Sequence, residues 1–313
     1  MIFFFCSLGE GFFFFLSRAR LQGERLGIER EERTVDYITF GIKYPIMLAL
    51  PVKRADPCNV ASNLAAFIAK EYPDEVNKFQ HDISTFQQIR NNAVTASISS
   101  DQLGMQHLLQ YNHHIKNVSK RLCGYESETK FKFTWSDAFR PNNRCSSGSL
   151  HFDWACVLWN MASFESHKAS TIDRSSDDGI RQASLHFQQA AGIVEYIRTD
   201  IAPRIQGAKS AELNDSFLRM VVGLLLAQAQ VCFYEKAVKE KKAGGGMKPT
   251  IIGKLAQQVG AYYWGAVELC REREVNTTID PSWVHHMEFQ RDSFRAVAEY
   301  WQSAAVKEEA LSK

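Results

Sequence analysis

The residue types that most often do chemistry are present in this chain, but their spacing argues against most of it. The pairs His113-His114 and His285-His286 are metal-ligand candidates by residue type. Adjacent helical residues point to divergent sides, whereas helical metal sites place histidines four apart on one face. Neither pair is expected to hold a metal. Asp177-Asp178 could divide acid–base work. The same two acids also suit the start of a helix, where the dipole favours negative charge, and that is the simpler account. Cys156 and Cys232 could act as nucleophiles, yet neither has a histidine at local spacing. A Cys–His pair assembled in space stays open. Gly244-Gly245-Gly246 is followed by Met-Lys-Pro rather than the Lys-Ser/Thr of a phosphate loop, so it reads as a linker. Neither G-x-G-x-x-G nor G-x-S-x-G occurs. No catalytic residue, metal or cofactor is expected, and no small-molecule substrate.

Composition narrows the classes further. The chain has 313 residues, 45% hydrophobic and 12% aromatic, enough for a sizeable core. Its net charge of +2 and pI near 8.1 give no basic excess for nucleic acid. Trp135, Trp154, Trp159 and Trp264 fall inside apolar runs and read as core, not as stacking platforms. The lysines at 236, 239, 241 and 242 read as a solvated helix end. Seven cysteines without a C-x-x-C pair suit a reducing compartment. Residues 2–16 form an apolar run broken by Gly9-Glu10-Gly11, too short for a membrane span. Residues 1–45 are read as an extension outside the domain, with a degenerate signal or anchor as the alternative. The sequons at Asn117, Asn214 and Asn276 are taken as chance.

The positioning elements follow from periodicity. Part of Ile38–Val52 is expected as a short edge strand. Amphipathic helices are expected over Asn59–Tyr72, over Glu75–Asn92 capped by Asp74, and from Ser100 or Asp101 through Val118. Lys130–Trp135 alternates like a half-buried strand, and Asp137–Ser149 reads as a loop. His151–His167 is apolar on most sides and should be central. A helix over Gly179–Ile201 carries Ala183, Phe187 and Ala190, and Val259, Tyr263 and Ala266 repeat that spacing more weakly. Small–aromatic–small rows of this kind nest antiparallel helix pairs of the tetratricopeptide type. A last helix runs from about Ser282.

The most informative stretch is Leu224–Leu269, two helices joined by the glycine-containing turn over Lys241–Pro249. The first carries Phe233, and the second carries Ile251 and Leu255, four apart and on one face. Nothing there reads as chemistry. It reads as a hairpin presenting an apolar surface to another protein.

KFKFTWSDAF at 130–139, DDGIRQASLHFQQAAGIVEYI at 177–197, LLLAQAQVCFYEKA at 224–237 and TIIGKLAQQVGAYYWGA at 250–266 occur in a telling order. Together they resemble the Bro domain of Alix-type endosomal-sorting adaptors, from about Pro45 to about Tyr300. The resemblance implies a mainly α fold: a curved solenoid of tetratricopeptide-like hairpins with a small antiparallel β-sheet. It implies a non-enzymatic adaptor that binds the C-terminal amphipathic helix of an ESCRT-III subunit. Such an adaptor is cytoplasmic, is recruited to endosomes and associates peripherally with their membrane. The groove aromatic falls on Phe233, the groove aliphatics on Ile251 and Leu255, and the acidic rim residue on Asp177. The lengthened turn KKAGGGMKP departs from the family pattern beside that groove. The domain is expected over 46–313, lacking the family's usual C-terminal portion. Bro domains also occur in Rho-effector and phosphatase-like signalling scaffolds, which is the alternative reading.

Overall fold

A computed structural model describes residues 46–73, 76–96, 102–122 and 124–312. The expected extension over 1–45, and the expected caps Asp74 and Ser100 or Asp101, lie outside the described residues.

The described chain is mainly helical. Three helices come first: α1 (Val60–Glu71), α2 (Val76–Ala96) and α3 (Gln102–Arg121). Asn59 caps α1 by accepting from the Ser62 N–H at 2.9 Å, and Tyr72-Pro73 follows its end. A hairpin of β1 (Phe133–Ser136) and β2 (Arg144–Ser147) follows, paired antiparallel with Trp135 opposite Cys145. Two helix pairs come next: α4 (Leu150–Thr171) with α5 (Asp177–Tyr196), then α6 (Asp215–Lys242) with α7 (Pro249–Cys270). The short α8 (Arg273–Asn276) leads to α9 (Pro281–Leu311). Each long helix packs on its neighbour in sequence from α1 to α7, and α9 returns to pack along α7.

Small and aromatic residues seat these pairs as their spacing predicts. Ala183, Phe187 and Ala190 of α5 are fully buried, and Val259, Tyr263 and Ala266 of α7 nearly so. Gly253 brings α7 against α9: a Cβ there would lie 3.3 Å from the Trp301 Cβ. Gly244 turns the α6–α7 connection with φ of 78°. Beside it, a Cβ on Gly245 would sit 2.7 Å from the Glu240 carbonyl. The joint therefore needs its glycines for geometry.

α4 is buried along most of its surface, from Leu150 to Ala169. Its Asp153 carboxylate is the polar centre of the N-terminal part. It accepts from Arg90 at 2.8 and 3.1 Å, Tyr111 at 2.6 Å and the Trp135 indole at 2.7 Å. One carboxylate thereby ties α2, α3 and β1 to α4. Burial alone would lower the Arg90 pKa, but the Asp153 charge and hydrogen bonds raise it overall. A second buried pair, Lys53 with Glu212, holds the start of the domain, and Glu212 also accepts from the Ala138 N–H.

Several expectations need correction. Of the segment 38–52, in part of which an edge strand is expected, residues 46–52 form no strand and the rest lies outside the described residues; the backbone bridge to β1 comes at Ala55. The preceding segment is extended, but its backbone bonds to helix side chains. The Leu48 N–H donates to Gln228 Oε1 and its carbonyl accepts from Gln228 Nε2. Ser166 Oγ accepts from the Leu50 N–H, while the Lys53 N–H and C=O pair with the Asn160 amide. The strand expected over Lys130–Trp135 starts at Phe133, and the loop expected over Asp137–Ser149 contains β2. The α-helix expected over Gly179–Ile201 starts at Asp177 and gives way to a π turn over Ile197–Ile201.

Candidate functional site

The candidate site is built on the layer α5–α6–α7. Two contacts set its register. Gly223 of α6 approaches Ala266 of α7, with 3.6 Å between the Gly223 Cβ position and the Ala266 Cβ. Phe233 lies ten residues beyond Gly223, and Leu255 eleven before Ala266. Both therefore stand about 15 Å from that contact along antiparallel axes, at one level. Ile251 lies one further turn along α7.

Rotation about each axis decides which side they face. Ile252, Ala256, Val259 and Tyr263 are buried toward α6, and Gly253 and Gly260 meet α9. At about 100° per residue, Ile251 and Leu255 point away from α9. Phe233 lies on α6 between the rows facing α5 and α7, on the side opposite Gln228 and its extended segment. The three side chains thus share the uncovered side of the layer. Phe233 is 47% exposed and Ile251 46%, and Leu255 is half-buried. Core phenylalanines in the same helices, such as Phe187 and Phe217, are fully buried. The half-buried Tyr262, on the same row of α7, was not singled out from sequence.

Asp177 occupies the first turn of α5, whose cap is the preceding Ser176. Its carboxylate pairs with Lys239 of α6 at 2.6 Å, and Lys239 also donates to the Ser175 carbonyl at 3.0 Å. That hydrogen bond holds the Asp177 carboxyl below the usual carboxylate range. Its side chain is 69% exposed. Asp177 therefore presents a fixed, ionised carboxylate beside a lysine, about two turns beyond Phe233 along α6.

The chemical candidates are placed differently. Cys156 is fully buried in α4, where burial pushes its thiol well above the usual range. Burial pushes Cys232 up to about 12. Both thiols are held neutral and inert. The His113 and His114 rings, expected to diverge, instead meet edge to face with centroids 5.8 Å apart. Among the described residues no group of His, Cys, Asp and Glu is arranged to hold a metal. α6 is long and apolar enough to cross a membrane by length and composition, but most of its apolar stretch is buried within the protein.

Leu185 of α5 is another large apolar residue on this layer, 42% exposed. It sits two positions from both Ala183 and Phe187, so about 200° from each. A leucine off the buried row was the available signal.

Comparison with known proteins agrees with this architecture. The pH-response regulator protein palA/RIM20 of Emericella nidulans is 31% identical over 259 residues, 82% of this chain and 29% of that protein. The vacuolar protein-sorting protein BRO1 of Gibberella zeae is 27% identical over 263 residues, 84% of this chain and 25% of that protein. This chain thus spans less than a third of the length of these relatives. Two solved structures share the fold. The ALIX BRO1 CHMP4C complex matches with TM-score 0.73 at 24% identity, covering 85% of this chain and 75% of that one. A Bro1 domain described as the structural basis for endosomal targeting matches with TM-score 0.71 at 18% identity, covering 85% and 72%. The sequence profile of the BRO1-like domain matches residues 47–311. That match spans nearly all the described residues, from the extended segment to the end of α9, and the chain belongs to the BRO1-like domain family.

Proposed function

We propose that this protein is a non-enzymatic adaptor for endosomal sorting. It docks the C-terminal amphipathic helix of an ESCRT-III subunit on the open side of α5–α6–α7. The observation that carries this reading is the exposure of Phe233 and Ile251 at the level of Leu255, on one uncovered side of the layer; Trp264 of α7, expected as core, is 48% exposed too but lies beside Arg291 of α9. Helix-in-groove recognition needs such a row of apolar anchors. Asp177, fixed by Lys239, gives the rim an orienting charge. Two similarities support the choice of partner: the ALIX BRO1 domain has been solved in complex with CHMP4C, and BRO1 relatives are vacuolar protein-sorting proteins. The adaptor acts from the cytoplasm and reaches the endosomal membrane through its partner, in multivesicular-body sorting and membrane scission. It acts on no small molecule and no nucleic acid.

A second reading, a signalling scaffold in the pH response, is favoured by the 31% identity to palA/RIM20. It uses the same fold with other downstream partners.

Fluorescence anisotropy of a labelled ESCRT-III tail peptide against the whole chain tests the first reading. Phe233→Asp and Ile251→Asp each place an uncompensated charge in the apolar contact. Each is expected to weaken binding at least about 30-fold, or about 2 kcal/mol. Unchanged affinity in both variants would refute the groove.

A further inference from the structure

Three residues before Asp177, a buried ion pair joins the α4–α5 connection to α6. Arg174 Nε donates to Glu235 Oε2 at 2.9 Å, and the two side chains are 6% and 9% exposed. Burial pushes the Glu235 carboxyl up, and the Arg174 charge and hydrogen bond oppose that rise without cancelling it. Glu235 Oε1 is buried with no hydrogen-bond partner among the described residues. Well-packed apolar side chains often stabilise a fold as well as a buried pair of this kind. The backbone between the pair and Asp177 is stiff. A Gly179 Cβ would overlap the Asp173 carbonyl oxygen, so the connection presses on the first turn of α5. Ser176 caps that turn by accepting from the Gly179 N–H at 3.0 Å. The Ser175 N–H and hydroxyl both donate to the Asp173 carboxylate, at 2.9 and 2.6 Å. A shift of Arg174 therefore carries Asp177 with it. On α6, Glu235 and Lys239 stand one turn apart on the side facing α5, so they hold the connection at two points. Phe233 is two residues from Glu235 and, about 200° around the axis, faces away from the pair.

We infer that Arg174 and Glu235 are positioning residues: they touch no partner, and they set where the Asp177 carboxylate stands relative to Phe233. This rests on the groove reading and adds the element that fixes one of its charges. The Lys239–Asp177 bond is exposed to solvent and weak on its own. The buried pair keeps those two groups within reach of each other before any ligand arrives. A carboxylate fixed in advance loses less freedom on binding than one that must be ordered by the partner.

The test combines anisotropy of an ESCRT-III tail peptide with NMR titration of the Asp177 carboxyl, both on the whole chain. Arg174→Met with Glu235→Leu replaces both charges together, so neither is left buried alone. This double variant is expected to melt at or above the parent temperature and to bind about fivefold more weakly. Its Asp177 carboxyl is expected to move back toward the usual carboxylate range. Arg174→Lys keeps a charge for Glu235, and with it the fold, but loses the planar guanidinium geometry. The same two changes are expected there in smaller measure. Asp177→Asn is expected to weaken binding in the parent and to change it less than about twofold in the double variant, because the residues act as one unit. Parent-like affinity together with a parent-like Asp177 titration in either folded variant overturns the inference. Phe233→Asp decides the groove separately. Full binding there removes the groove reading, and the Asp177 titration still decides whether the pair positions the carboxylate.

Discussion

At the scale of single residues, the buried carboxylate of Asp153 matters more to the fold than any surface ion pair. It carries four hydrogen bonds from Arg90, Tyr111 and Trp135. Breaking a buried pair leaves an uncompensated charge, which costs far more than the pair contributes. Asp153→Asn keeps the shape and strands the Arg90 guanidinium. It should lower stability by about 3–5 kcal/mol in urea unfolding, with the slope unchanged. A loss below about 1 kcal/mol would mean that Arg90 finds solvent or another acceptor. Lys239 and Asp177 differ in kind, because both are exposed. Their pairing adds little to folding. Asp153 lay inside an apolar run, and its role depends on residues from α2, α3 and β1 that no local spacing relates. Phe233, Ile251 and Leu255 could be named because their blocks resemble a known family. Their exposure was beyond periodicity, since an apolar residue on a helix reads the same on a core face and on an open one.

At the scale of elements, most helices were legible. Stripes of apolar residues, Asn59, and the Tyr72-Pro73 break mark their ends in the chain itself. The misses at β2 and at the extended segment share one cause: hydrogen bonding supplied from a distance. β2, Arg-Cys-Ser-Ser, has no alternating pattern and is a strand because β1 pairs with it. Within the segment 38–52, the stretch from residue 46 onward is rich in β-formers and so reads as part of an edge strand. Its backbone is satisfied instead by Gln228, Ser166, Ser163 and Asn160, polar residues set inside apolar helices. Those polar positions were the overlooked signal. Gln228→Leu keeps the volume close and strands the Leu48 N–H and C=O. It should cost about 2–4 kcal/mol and raise amide exchange over residues 47–50 in hydrogen-exchange mass spectrometry. Parent-like exchange there would show that the segment is held by its side chains alone.

At the scale of the whole molecule, the extended segment and α9 lie on one side of the α6–α7 pair, and Phe233, Ile251 and Leu255 lie on the other. Lys241 in the last turn of α6 pairs with Glu308 of α9 at 2.7 Å, which fixes the hairpin end from the covered side. On the proposed function, the open side takes the partner without rearrangement of the helices. Photo-crosslinking measures this division most directly. An ESCRT-III tail peptide carrying a photoreactive leucine at each apolar position in turn is bound to the whole chain, irradiated and mapped by mass spectrometry. The expected crosslinks fall on Phe233, Ile251, Leu255 and their neighbours on α5. Crosslinks confined to α9, at Phe289 or Val306, would contradict it.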